Sequence, residues 1–114
     1  MLRAQMEREI QFFDLTGLEQ QRLSAVKAYI EFLRVPAMSA GIYVIAVGGA
    51  DPQIPHHEDE LYYVIRGRAG MRVGTEERAV GAGSLVFVPA GLEHRFHDIE
   101  EELTVLVFFA PAES

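Results

Sequence analysis

The chain has 114 residues, 49 % of them hydrophobic, which is enough for one domain with a real core but short enough that a partner subunit would bury more. Its formal net charge of −7 is uneven: residues 1–34 carry five basic and five acidic groups, and the remainder carries five and twelve, an acidic surface that argues against nucleic acid and anionic membrane as partners. The absence of cysteine excludes thiol catalysis, disulfides and zinc–thiolate sites, and with no apolar run of membrane-spanning length and a charged opening stretch the expected compartment is the cytoplasm.

Leu2, Met6, Ile10 and Phe13 recur at intervals near 3.6, which predicts a short amphipathic helix. Thr16 with Glu19 reads as a capping box. Leu23, Val26 and Ile30 follow at helical spacing, so a second helix is predicted from about Gly17 to Ala28. Ile30 to Val35 reads either as the first strand or as helix continued to Leu33, and Pro36 stops a helix. Residues 1–35 are thus expected to form an N-terminal helical segment packed on a β-domain spanning 36–114.

From Ser39 the pattern turns to strands separated by glycine and proline. The predicted strands are Ile42 to Val47, Leu61 to Ile65 (closed by Gly67), Met71 to Val73, Arg78 to Val80, Leu85 to Val88, Glu93 to Asp98 and Leu103 to Phe109. Glu76 and Glu77 fall at a hairpin tip and Glu100 to Glu102 in a solvated turn. Short strands at this spacing leave no room for crossover helices, so the fold class is all-β, a sandwich or barrel. Ile42 to Val47 and Leu103 to Phe109 are apolar on both faces, so something must cover the outer one. The N-terminal helix and a second subunit are the candidates, and a homodimer is the expectation.

The chemistry-bearing residues lie in two stretches. In the stretch from Gln53 to Gly67, His56 and Glu60 are four positions apart and share a face of an extended chain. Imidazole with carboxylate is a common ligand pair for divalent first-row metals. In Gly83 to Asp98, Pro89 and Gly91 set a tight turn after an apolar strand. The return strand opens with His94, which shares a face with Phe96 and Asp98, while Arg95 and His97 point the other way. Asp98 is a candidate acceptor to orient an imidazole, and Tyr62, Val64, Phe87 and Phe96 are core residues or an apolar wall for a small ligand.

The spacings His56, three residues, Glu60, six residues, Gly67, and then Gly83, Pro89, Gly91, His94, resemble the two cupin motifs over roughly residues 48–98. Two positions depart from the pattern: Ile54 stands where the first histidine of the first motif falls, and Asp98 where the second motif ends in asparagine. The resemblance implies a jelly-roll barrel of roughly six to eight strands. It also implies one divalent metal ion (Fe, Mn, Ni or Zn) held by His56, Glu60 and His94. Gln53, His57 and Glu58 compete for a fourth place, with His57 favoured because imidazole is the better ligand, although it needs a bulge to turn inward. The implied function is dioxygenase- or isomerase-like chemistry on a small organic molecule at the metal. The alternative is a cupin that binds metal or a small ligand without turnover, and fold alone does not choose between them.

Overall fold

A computed structural model describes residues 9–52 and 54–114. The described residues form one helix, α1 (Leu15–Ala25), followed by six strands: β1 (Tyr29–Val35), β2 (Met38–Ile45), β3 (Asp59–Val73), β4 (Glu76–Gly81), β5 (Leu85–Val88) and β6 (His94–Ala110). Among the described residues no helix is long and apolar enough to cross a membrane.

The helix is capped differently from the expectation. Asp14, not Thr16, is the N-cap: its backbone is extended and its Oδ1 accepts the Gly17 N–H at 2.7 Å. An aspartate two positions upstream competes for the same orphan donors and wins, which draws Thr16 into the first turn. The helix ends at Ala25, where Val26 turns left-handed with φ 53° and donates its N–H to the Leu23 carbonyl. The predicted first helix does not include Ile10 and Phe13, since residues 9–14 are irregular and Ile10 is 85 % exposed; Leu2 and Met6 lie outside the described residues. Tyr29–Val35 takes the strand alternative and pairs antiparallel with β2, Tyr29 opposite Tyr43 and Ile30 opposite Ile42. Helix among the described N-terminal residues is therefore confined to residues 15–25.

Two further expectations are corrected by the long strands. Gly67 does not close a strand, and Glu100 to Glu102 are not a turn; both lie inside β3 and β6, which run side by side for almost their whole lengths. Register shifts fall between Val64 and Gly70, with φ of +101° at Gly67 and +49° at Asp98. A glycine or an aspartate with positive φ serves a bulge as readily as a turn, so these strands bend where the sequence suggested they would stop.

The bends build two layers from one antiparallel sheet. β1, β2, the second half of β6, the first half of β3 and β5 lie side by side; past the bends, the second half of β3 lies between β4 and the first half of β6. Tyr62, Val64, Val105, Val107 and Phe109 from the first layer meet Met71, Val80 and Phe96 from the second in one core. Each fully buried side chain of this kind contributes about 1.5–3 kcal/mol. On the outer face α1 packs over β1 and β2 through Leu18, and Glu19 pairs with Arg66 of β3. That cover stops short of β5, where Leu85 and Phe87 remain 65 % and 59 % exposed beside Tyr63 and Leu61.

Candidate metal centre

The inner face of the first layer reads across the register. Glu60 of β3 lies between Val88 of β5 and Phe109 of β6, and Phe109 is opposite Ser39 of β2. Glu60 is thus a carboxylate in the middle of an apolar row, 2 % exposed. His94 opens β6 on the inner face of the second layer, opposite Val73 and two positions before buried Phe96. His56 comes from the loop between β2 and β3. Its carbonyl accepts the Gly91 N–H at 2.7 Å, while Asp59 Oδ1 accepts the Ala90 N–H, so the turn that precedes His94 and the loop that carries His56 are fastened together.

These elements bring one ligand atom each from His56, Glu60 and His94 to within 4.8 Å of one another. His94 Nδ1 lies 2.8 Å from the Leu92 carbonyl oxygen, an atom that only accepts, which assigns the proton to Nδ1 and leaves the Nε2 lone pair facing inward. Nε2 in turn lies 3.0 Å from Glu60 Oε1, with both side chains about 1 % exposed. Two lone pairs facing each other in a dry interior repel unless a cation stands between them. Either a proton or a metal ion meets that need, and among the described residues neither Glu60 oxygen nor His94 Nε2 has a hydrogen-bond partner. Two ligand atoms about 2.1 Å from one ion and at right angles to it lie about 3.0 Å apart, so the separation suits a first-row divalent metal. Burial pulls the His94 pKa down, but the Glu60 carboxylate and the Leu92 carbonyl outweigh it and hold the imidazole above its ordinary value.

Around this group the structure adds residues that the motif spacing did not reveal. Glu113 Oε2 lies 3.3 Å from His56 Nδ1, the carboxylate–imidazole arrangement that fixes a ring and frees its other nitrogen. Glu113 is itself held: its N–H donates to Ser39 Oγ at 2.9 Å and its carbonyl accepts from Arg34 at 2.7 Å. Asp51, 5 % exposed, accepts from the Tyr43 hydroxyl and from the Phe96 N–H, both at 2.9 Å. The Tyr62 hydroxyl is buried against the same group; desolvation first, and then Glu60, raise its pKa, so it stays protonated.

Among the described residues, the other sequence candidates are not part of this group. His57 is exposed. Glu58 is buried, but its Oε2 accepts the Ser114 N–H at 3.2 Å. Gln53 lies outside the described residues. Ile54 is 72 % exposed, so the motif position it occupies faces solvent here. A histidine introduced there, Ile54→His, is expected to leave metal affinity within about threefold of the parent in a chelator-competition titration, whereas a tightening of tenfold or more would place the position inside. Asp98 does pair with an imidazole, at 2.7 Å, but that of His97 on the outer surface, because the bulge at Asp98 turns it outward and Ile99 inward.

The comparisons with known proteins agree with this architecture. The chain is 49 % identical over 102 residues to the uncharacterized protein SCO3923 of Streptomyces coelicolor, covering 90 % of this chain and 97 % of that one. The solved structure of TT1209 from Thermus thermophilus superposes with a TM-score of 0.75 at 28 % identity, over 90 % of this chain and 99 % of the other. A cupin 2 conserved barrel domain protein from Rhodopseudomonas palustris shares the fold, with a TM-score of 0.67 at 22 % identity, over 75 % of this chain and 61 % of that one. With the cupin domain family matching residues 41–110, and with the bent antiparallel barrel and its inward His and Glu side chains in place, the chain belongs to the cupin family.

Proposed function

We propose that the protein binds one divalent first-row metal ion, Fe, Mn, Ni or Zn, through His56, Glu60 and His94, and acts with it on a small organic molecule. The observation that carries this reading is the buried 3.0 Å approach of His94 Nε2 to Glu60 Oε1, with a ligand atom of His56 within 4.8 Å of both. Three protein ligands leave coordination positions for substrate or water. When bound, such an ion supplies Lewis-acid polarisation or, for a redox-active metal, oxygen chemistry of the dioxygenase type. The protein's own part is to hold the ligands and keep water out: Leu92 and Glu113 orient the two imidazoles, and Tyr62, Phe96 and Phe109 wall the site with rings. Protein prepared without chelator is expected to carry about one metal per chain by elemental analysis. A content below about 0.1 after exposure to each of the four metals would remove the reading.

One observation favours binding without turnover as the second reading. The Asp51 oxygens are engaged by Tyr43 and Phe96, and Glu113 by His56, so these carboxylates are committed to holding the site together rather than to moving a substrate proton. Oxygen uptake or isomerisation by the iron-loaded protein separates the two readings.

The exposed outer face supports a homodimer as part of the proposal. Leu85, Phe87, Leu61 and Tyr63 form an open apolar row on β5 and β3, and the segment before α1 holds Ile10 and Phe12 at 85 % and 93 % exposure. Two apolar patches on one chain, each uncovered by its own fold, can cover each other across a two-fold axis. Sedimentation at micromolar concentration is expected to give a dimer, and Phe87→Glu a monomer. A parent protein that sediments as a monomer would overturn the assembly without touching the metal site.

A further inference from the structure

Beside Glu60 and His56 lies a cavity of about 230 Å³. A cavity of about 150 Å³ accepts benzene, so this one suits a single substituted ring, or an acyclic molecule of roughly ten non-hydrogen atoms. Tyr29, Tyr43 and Phe109 give it aromatic walls. Its acidic side chains are Asp51, Glu60 and Glu113, with no lysine or arginine among the described lining residues.

The charge pattern selects among ligands. Three carboxylates against one dication leave a net negative cavity, and among the described lining residues no side-chain cation offsets it, so an organic acid or a phosphate has only the metal to meet it against that field. An ammonium is drawn by that field but competes with partners that the carboxylates already have. Asp51 is taken up by Tyr43 and Phe96, Glu113 faces His56, and Glu60 faces His94. An uncharged molecule avoids both costs.

Outside the proposed ligands, one polar group in the cavity has no hydrogen-bond partner among the described residues. The Tyr29 hydroxyl is buried with no hydrogen bond. Burial first, and then the nearby Glu113 and Glu31 carboxylates, hold its pKa above the ordinary tyrosine value, so it offers a proton and lacks an acceptor. Its position is built in. The ring lies edge-on to Tyr43, with centroids 6.2 Å apart, and rests on the backbone of Gly41, where a Cβ would collide with it. Gly41 therefore has a reason to be glycine that its own backbone conformation does not require.

Resting on the metal-site reading above, we infer that this cavity selects an uncharged organic molecule carrying a carbonyl or similar oxygen acceptor, anchored by the Tyr29 hydroxyl beside the metal centre, and excludes organic acids of the same shape. The test uses the full chain loaded with Co(II), with calorimetric titration of benzamide and benzoate, which share size and shape and differ in charge. Benzamide is expected to bind at least tenfold more tightly than benzoate. Tyr29→Phe is expected to weaken benzamide about tenfold while Co(II) affinity, read from its visible spectrum, stays within twofold. Equal or tighter binding of benzoate, no detectable benzamide binding, or a Tyr29→Phe variant that binds benzamide like the parent would each overturn the inference. If Co(II) itself fails to bind, the metal reading falls separately, and the preference for benzamide over benzoate is then read on the metal-free protein, where the same three outcomes apply.

Discussion

His94→Ala is expected to weaken metal binding by at least about 100-fold, since loss of a group that merely orients a ligand already costs 10- to 100-fold. A second effect of this substitution shows without metal. Glu60 is 2 % exposed in an apolar row, and His94 is the imidazole 3.0 Å from it. Removing the imidazole strands a buried carboxylate, a change worth about 3–5 kcal/mol in comparable buried pairs. Urea unfolding of the metal-free variant is expected to show that loss. The double variant with Glu60→Gln, which removes the stranded charge, is expected to recover at least about 1 kcal/mol of it. The exposed neighbour serves as control: His57→Ala should leave both metal affinity and stability nearly unchanged, within about 0.5 kcal/mol. Metal affinity within threefold of the parent in His94→Ala would remove that residue from the centre.

The parts of this site that were legible in the sequence are those whose side-chain direction follows from local alternation. Glu60 and His94 each sit in a strand or at its first residue, beside inward neighbours such as Tyr62 and Phe96, and parity alone orients them. Parity fails across an irregularity, which is why Asp98, past the positive-φ bulge, faces out toward His97 instead of in. Asp51, Tyr29 and Glu113 were not legible for another reason. Asp51 sits in a Gly-Gly-Ala-Asp-Pro stretch that has every mark of a solvated turn, and only the return of β6 beneath it, with the Phe96 N–H, explains its burial. Tyr29 stood at the edge of a segment that read as strand with helix as the alternative. Glu113 reaches His56 through contacts with Ser39 and Arg34, separated from it by 74 and 79 positions, and no local pattern encodes those. The extent of β3 and β6 was missed because glycine marks positive φ, and positive φ alone does not distinguish a turn that ends a strand from a bulge that bends it.

That ambiguity at Gly67 leads to the second large effect. Gly67→Ala is expected to destabilise the protein by about 3 kcal/mol or more, from two sources that add. Its φ of +101° is one that residues with a Cβ rarely adopt, and a Cβ there would come 2.7 Å from Leu103 Cα and closer still to the Glu102 carbonyl oxygen. Those atoms are backbone of the paired strand β6, so a flexible side chain cannot swing aside to relieve the contact. Gly91 separates the two sources, because it has φ of +77° with nothing within 4 Å of its would-be Cβ. Gly91→Ala carries only the conformational penalty, about 1 kcal/mol. Urea unfolding of the two variants should therefore differ by about 2 kcal/mol. Equal losses would mean that β6 moves aside at Glu102. The bend at Gly67 also carries β3 from its pairing with β5 to its pairing with β4, and the far half of β3 sets Val73 opposite His94. A Gly67→Ala protein that still folds is thus expected to bind metal more weakly, although the substitution touches none of the three ligands.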